Sequence, residues 1–365
     1  MKVERMARTS TIPFGPQHSS FLEPLHLKLK LEEERVVGVD LSLGYNHRGM
    51  EYALERDWKN NFFLCERVCG ICSFHHSTTY CQAMEAITGV QPSERALLIR
   101  TIMLELQRIT SHTLTLGHIA ESLGYENLFM HFFREREEFM RLVNLISGNR
   151  VHYCMNWLGG VRRDIGPDLA RQVEVKLEEM LPKLQMLAGV VRKDSTWRKR
   201  TRGVGVLSMR QAMEWCAVGP VARASGLPYD VRLSGNAGYA LQGISFKPIW
   251  REEGDNWARC MVRMDETLQS VDLVHQCLGL LPEGPLEKKF KGSPEGEGFS
   301  RNEAPRGELM YWVKAKGAAT LDRVKIRTPA FMNLPPLTEM LRGCEFPDVP
   351  VIVVSVDPCI CCTDR

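Results

Sequence analysis

The sequence holds no uninterrupted apolar run of the roughly 18 residues that a membrane-spanning helix requires, so the chain is expected to lie outside the bilayer. It can still sit on a membrane through other subunits. The opening residues Met1-Lys2-Val3-Glu4-Arg5-Met6-Ala7-Arg8 lack the apolar segment and small-residue cleavage site of a secretory signal, which predicts an internal location. An excess of one charge is also missing. Against 44 Asp and Glu stand 47 Lys and Arg, a net +3, which gives no electrostatic case for nucleic acid. The basic run from Arg192 to Arg202 reads as a solvated loop or a rim facing a partner protein. Gly292-Ser293-Pro294-Glu295-Gly296-Glu297-Gly298 lacks phosphate-loop spacing and a following Lys-Ser/Thr, which excludes a nucleotide site there. No internal repeat is visible, and 365 residues suffice for one domain with a substantial core.

What the sequence does have is cysteine, 12 in all. A disulfide framework suits short secreted domains, and this chain is neither. Cys81, Cys154, Cys216, Cys260 and Cys277 lie in apolar, helix-like contexts, where a free thiol behaves as a small buried hydrophobe. Four others form two Cys-x-x-Cys pairs at opposite ends: Cys69/Cys72 in Arg67-Val68-Cys69-Gly70-Ile71-Cys72-Ser73-Phe74-His75-His76, and Cys359/Cys362 in Asp357-Pro358-Cys359-Ile360-Cys361-Cys362-Thr363-Asp364-Arg365. Two intervening residues let both sulfurs of a tight turn face one metal. Soft thiolates select zinc, nickel, copper(I) or iron clusters over magnesium or calcium. Cys65 and Cys361 adjoin the pairs but are out of phase with them. So much reduced thiol fits a reducing, anaerobic interior.

Periodicity predicts an α+β fold: a long-helix bundle core with peripheral antiparallel strands. Within 1–50, Leu25, Leu27 and Leu29 alternate with polar residues, as half-buried strands do. Residues 77–280 read as the bundle. One helix opens at Ser93-Glu94-Arg95, a second runs from Asn127 to a Gly148-Asn149 cap, a third follows Pro167-Asp168, and a fourth spans Asp255 to Leu280. His112 and His118 fall in this bundle and read as structural. Pro282 to Glu303 reads as a surface excursion. Within 303–365, Glu308–Val313, Ala318–Ile326 and Val351–Val354 read as strands, the last delivering a C-terminal metal-binding tail.

Zinc ribbons set their cysteine pairs roughly 15–20 residues apart, and iron–sulfur sites also favour a compact cadence. Neither accounts for Arg67, Gly70 and His76 around the first pair. Arg67-x-Cys69-Gly70-x-Cys72-x-x-x-His76 with Asp357-Pro358-Cys359-x-x-Cys362-x-x-Arg365 resembles the paired signatures of the nickel–iron hydrogenase large subunit. Gly15-Pro16-Gln17-His18, His47-Arg48-Gly49-Met50-Glu51, Gly159-Gly160-Val161-Arg162-Arg163-Asp164, Glu303-Ala304-Pro305-Arg306-Gly307-Glu308 and Arg327-Thr328-Pro329 resemble its membrane-associated, energy-converting branch. That branch is related to the hydrogenase-like subunit of respiratory complex I, which has lost the four cysteines. The Thr363-Asp364-Arg365 ending, where many hydrogenases carry His, points to the same branch.

The resemblance implies a hydrogenase large-subunit fold over the whole chain and reversible H2 formation. Cys69 and Cys359 would be terminal nickel ligands, while Cys72 and Cys362 would bridge nickel to an iron carrying CO and cyanide. Arg306 would hang over the open coordination site, oriented by Asp357. His76 would donate to the Cys72 sulfur, and Glu23 would relay protons. On spacing alone, Arg306 is a surface ion-pair residue, His76 a core histidine and Glu23 a turn carboxylate. Glu51 would either hold a magnesium or iron ion near the C-terminus or occupy a proton path. Implied partners are a small subunit with a [4Fe–4S] cluster, ferredoxin-type electron carriers and ion-translocating membrane subunits. The chain would be a peripheral subunit on the cytoplasmic side. The rival is a four-thiolate zinc staple in a scaffold subunit.

Overall fold

The computed structural model describes residues 9–234 and 243–365; the Met1–Arg8 stretch discussed above lies outside the described residues. The molecule is organised around the helix Glu94–Ser122, which is buried along almost its whole length. Ser93 caps it, its side chain accepting from the Ala96 N–H, which satisfies one of the orphan donors of a helix start. Around it pack the helices Ser73–Thr88, Glu126–Ser147, Asn256–Gly279 and Val349–Val356. The helix Pro167–Lys193 closes the bundle from the far side of Glu126–Ser147 and Asn256–Gly279. Phe139, Leu142 and Ile146 meet Ile99, Ile102 and Leu106 in the largest core cluster. The expected ends hold: Gly148 takes the left-handed conformation after Ser147, and the Asp255 side chain accepts from Ala258 N–H.

Two three-stranded antiparallel sheets flank the bundle, beside a two-stranded one of Asn156–Trp157 and Gly160–Val161. In the first, Thr9–Phe14, His26–Glu32 and Arg35–Ser42 pair in sequence order. Leu27, Leu29 and Leu31 point inward, as the alternation predicts. In the second, Glu295–Ala304, Gly307–Lys316 and Leu321–Arg327 form a meander against the helix Ser73–Thr88.

Four expectations are corrected. The Pro282–Glu303 excursion ends early, because Glu295–Ala304 is a strand whose buried residues are polar or tiny. Ser300 donates to Thr79 O at 2.6 Å, and a Cβ on Gly298 would lie 2.1 Å from Ala83 O. Polar composition there reflects close packing on a helix rather than exposure. Val351–Val354 belongs to the helix Val349–Val356, not to a strand. Pro350 lies in its first turn, and Ile352, Val353 and Val356 fill one core cluster while Val351 fills another. Burial on several sides decides against the β preference of branched residues. The basic run is partly helical over Ser195–Thr201, with Trp197 buried. Among the supposed core thiols, Cys216 is exposed and Cys154 only half-buried. Among the described residues no helix is long and apolar enough to cross a membrane.

Candidate metal centre

A short 3-10 turn, Cys65–Val68, sets down Cys69 in extended backbone, and Cys72 then caps the helix Ser73–Thr88. This geometry turns the N–H groups of Ile71 and Cys72 onto the Cys69 sulfur at 3.3 and 3.4 Å. Amides and a helix start both favour negative charge on that sulfur. At the other end the helix Val349–Val356 stops where Asp357 adopts the left-handed conformation (φ 62°). Pro358 follows, and Cys359 caps the short helix Ile360–Asp364.

The two ends meet. Cys69 and Cys359 sulfurs lie 3.3 Å apart, and Cys72 and Cys362 sulfurs 3.4 Å apart. Both separations exceed a disulfide bond of about 2.05 Å, and all four cysteines are buried free thiols. First meets first and second meets second, so the four sulfurs divide into two facing pairs. Hydrogen bonds from Cys359, Cys362 and Cys72 hold the Cys69 thiol well below its ordinary range, despite burial. Cys362 is pushed well up by its bonds to Cys359, Cys69 and Cys72, with burial adding to the shift. Four buried sulfurs therefore cannot all ionise without a cation among them. Their chemistry fits a soft transition metal.

Arg306 is buried and holds Asp357 with two prongs, Nε to the backbone oxygen at 2.9 Å and NH2 to Oδ1 at 2.7 Å. Burial opposes its charge, but Asp357 and the sulfurs of Cys359, Cys72 and Cys69 outweigh that and keep it protonated. The second Asp357 oxygen, Oδ2, is buried without a partner. His76 reaches Cys362, with Nε2 3.4 Å from its sulfur, rather than the expected Cys72. The ring stands one helical turn beyond Cys72, and Tyr311 at 2.8 Å from Nδ1 fixes its direction. Burial chiefly lowers the pKa of His76 to about 4, so the imidazole is neutral. In the tautomer in which Tyr311 donates to Nδ1, Nε2–H is the donor to the sulfur.

Glu23 comes from the loop between the first two strands. One oxygen accepts from Ile360 N–H at 2.5 Å and Cys361 N–H at 3.0 Å. Cys361 itself faces Asn46, whose Nδ2 is 3.0 Å from the sulfur. Its thiol is pushed up to about 12 by burial and by its bond to Glu23. Glu51 accepts from Ile326 N–H, with Lys325, Arg323 and Arg365 within 4 Å. A divalent ion there would sit among three positive charges.

A clamp on the C-terminal tail, which cysteine spacing does not reveal, completes the site. Asp364 accepts from the Gly44 and Asn46 amides, Arg48 donates to Arg67 O and Val68 O, and Thr328 donates to Cys362 O. The Gly44–Glu51 stretch thus ties both cysteine motifs together. Its signal was the His47-Arg48-Gly49 triplet, whereas nothing around Tyr311 in the sequence marks it.

Residues 48–125 match a family described as nickel-dependent hydrogenase, and residues 122–293 and 287–365 match the 49-kDa subunit of respiratory-chain NADH dehydrogenase. The chain belongs to this hydrogenase and complex I family. The carbon monoxide-induced hydrogenase of Rhodospirillum rubrum is 39% identical over 98% of this chain and 99% of its own length. The membrane-bound hydrogenase subunit alpha of Pyrococcus furiosus is 40% identical over 97% of this chain and 87% of its own. Among solved structures, a chain of the membrane-bound sulfane sulfur reductase, an archaeal respiratory membrane complex, superposes with TM-score 0.93. It is 32% identical, over 98% of each chain.

Proposed function

We propose that the chain is the catalytic subunit of an energy-converting nickel–iron hydrogenase, interconverting H2 with protons and electrons. The observation that carries this reading is the two-by-two meeting of the sulfurs, Cys69 with Cys359 and Cys72 with Cys362. In such an arrangement all four sulfurs would hold nickel, and Cys72 with Cys362 would hold iron as well. When bound, the metal pair with CO and cyanide on iron supplies the site at which H2 is split or formed.

The residues of the chain do the rest. Arg306 brings a fixed positive charge to the sulfurs, and Asp357 sets its plane. His76 donates to the Cys362 sulfur and moderates its basicity. Glu23, anchored through one oxygen beside Cys361, uses the other to take up and return protons. Electrons would leave to a [4Fe–4S] cluster on a small subunit, then to ferredoxin-type carriers. Membrane subunits would couple that flow to ion translocation, with this chain peripheral on the cytoplasmic side. The name of the Rhodospirillum rubrum relative favours a CO-linked complex, with a formate-linked one beside it, as the second reading of the electron source.

The test is metal analysis and infrared spectroscopy of the complex from its native host. Nickel with infrared-visible CO and cyanide bands supports catalysis. Zinc alone in the four thiolates would replace this reading with a structural staple.

A further inference from the structure

A cavity of about 30 Å³ opens beside the sulfurs but belongs to none of them. Glu23, Asp357, Pro358 and Ile360 line it. Thr115 and His118 of the central helix line it as well, with Ser20 and Leu22 of the Glu23 loop. A site of this size admits a water, which needs two or more polar partners. Two are in place: Glu23, with one oxygen fixed by amides, and Asp357, nine-tenths buried with Oδ2 unpartnered. A third is His118. Its Nδ1 is 2.9 Å from Glu121 Oε2, which leaves Nε2 as the second end of the ring. The His118 side chain is 16% exposed and that of Glu121 50%, so the pair runs from cavity to solvent.

An imidazole with one nitrogen on a carboxylate and the other free can accept a proton at one end and release it at the other. On the hydrogenase reading, we propose that His118, backed by Glu121, is the outlet through which Glu23 exchanges protons with solvent. In the outward direction the Glu23 carboxyl gives its proton to the cavity water. The water passes one of its own to His118 Nε2, and the Nδ1 proton goes to Glu121 and on to solvent. Nothing is oxidised or reduced along this route, since the electrons leave through the partner subunit.

The experiment uses the intact native complex carrying His118→Ala. Conversion of para-hydrogen needs only cleavage and recombination at the centre, whereas exchange of H2 with D2O also needs the proton to escape. The expected result is exchange slowed about tenfold or more, para-hydrogen conversion retained, and exchange restored by added imidazole, with the CO and cyanide bands unmoved. A high-resolution map should also show water in the cavity within hydrogen-bonding reach of Glu23. Exchange equal to the parent, loss of both activities together with unmoved bands, or a dry cavity would each overturn the outlet. If the His118→Ala complex does not assemble, His118→Gln keeps the shape without the proton chemistry and carries the same expectation. Absence of nickel and of the bands in the parent complex would instead refute the hydrogenase reading itself.

Discussion

Around Arg223, four buried carboxylates meet three buried guanidiniums. Glu266 and Glu303 each lie 2.7 Å from Arg223, Asp230 lies 2.7 Å from Arg232, and Glu105 bridges Arg232 and Arg108 at 3.3 and 3.2 Å. His112 adds a bond to Glu266 at 2.9 Å. The metal centre is buried just as deeply but balanced otherwise. Its four sulfurs face one guanidinium, Arg306, already held by Asp357. The first cluster finds each of its carboxylates a guanidinium within the chain, although Arg223 Nη2 stays unpartnered, whereas the four sulfurs have only Arg306 to share. A buried charge pair is a weak source of net stability, whereas breaking one is costly because the survivor is stranded. The Arg223 cluster therefore answers to folding, and the sulfurs to the metal proposed for them.

The largest effect should separate the two. Cys359→Ser removes a proposed nickel ligand, and since changes to residues behind metal ligands already cost about 10–100-fold, turnover should fall by more than that, with nickel reduced to traces. Folding should be nearly unaffected, as judged by circular dichroism. Near-normal H2 turnover would remove Cys359 from the ligand set.

Arg223→Met should do the reverse. It strands Glu266 and Glu303, and a loss of about 3–5 kcal/mol is expected, read from chemical denaturation. Nickel per folded chain should match the parent. A fall in nickel content at equal folding would mean that the two clusters are not independent.

Arg306→Lys tests the one residue that resembles both clusters. Lysine keeps the charge but loses the two-pronged hold on Asp357. Turnover about 10–100-fold below the parent is expected, with the infrared bands shifted because the cation has moved. Unshifted bands with full turnover would reduce Arg306 to a structural ion-pair partner.

The second cluster was legible in the sequence and the first was not. Cys-x-x-Cys spacing is local, so both halves of the site declare themselves, whereas Asp357 with Arg306 comes only through the family resemblance, since spacing alone reads Arg306 as a surface ion-pair residue. Helix ends at Ser93, Gly148 and Asp255 were equally legible, because capping is a property of neighbouring residues. The Arg223 cluster joins Glu105, Asp230, Glu266 and Glu303, which no spacing relates. Each of them alone looks like a solvated charge. The Val351–Val354 run misled for the same reason: its neighbours in space, not in sequence, make it helical. Tyr311 and the turn of His76 onto Cys362 likewise depend on where a strand crosses a helix.

The smallest effect concerns how complete the balance of the first cluster is. Burial, only partly offset by Arg223, raises the Glu303 pKa from 4.5 to about 7. Between those values the native state holds a proton that the unfolded chain has released, so this group makes stability fall as pH rises through that window. Buried His76 and His112, lowered to about 4, act with the opposite sign, since the unfolded chain binds their protons up to the ordinary value of 6.5. The parent curve alone therefore cannot show the Glu303 contribution, but a difference can. Glu303→Gln should match the parent near pH 4.5 and be more stable by about 1–3 kcal/mol at pH 8, measured by denaturation across that range. A gap that stays constant would mean that Glu303 is ionised throughout, and that Arg223 offsets the burial of all its carboxylates at once.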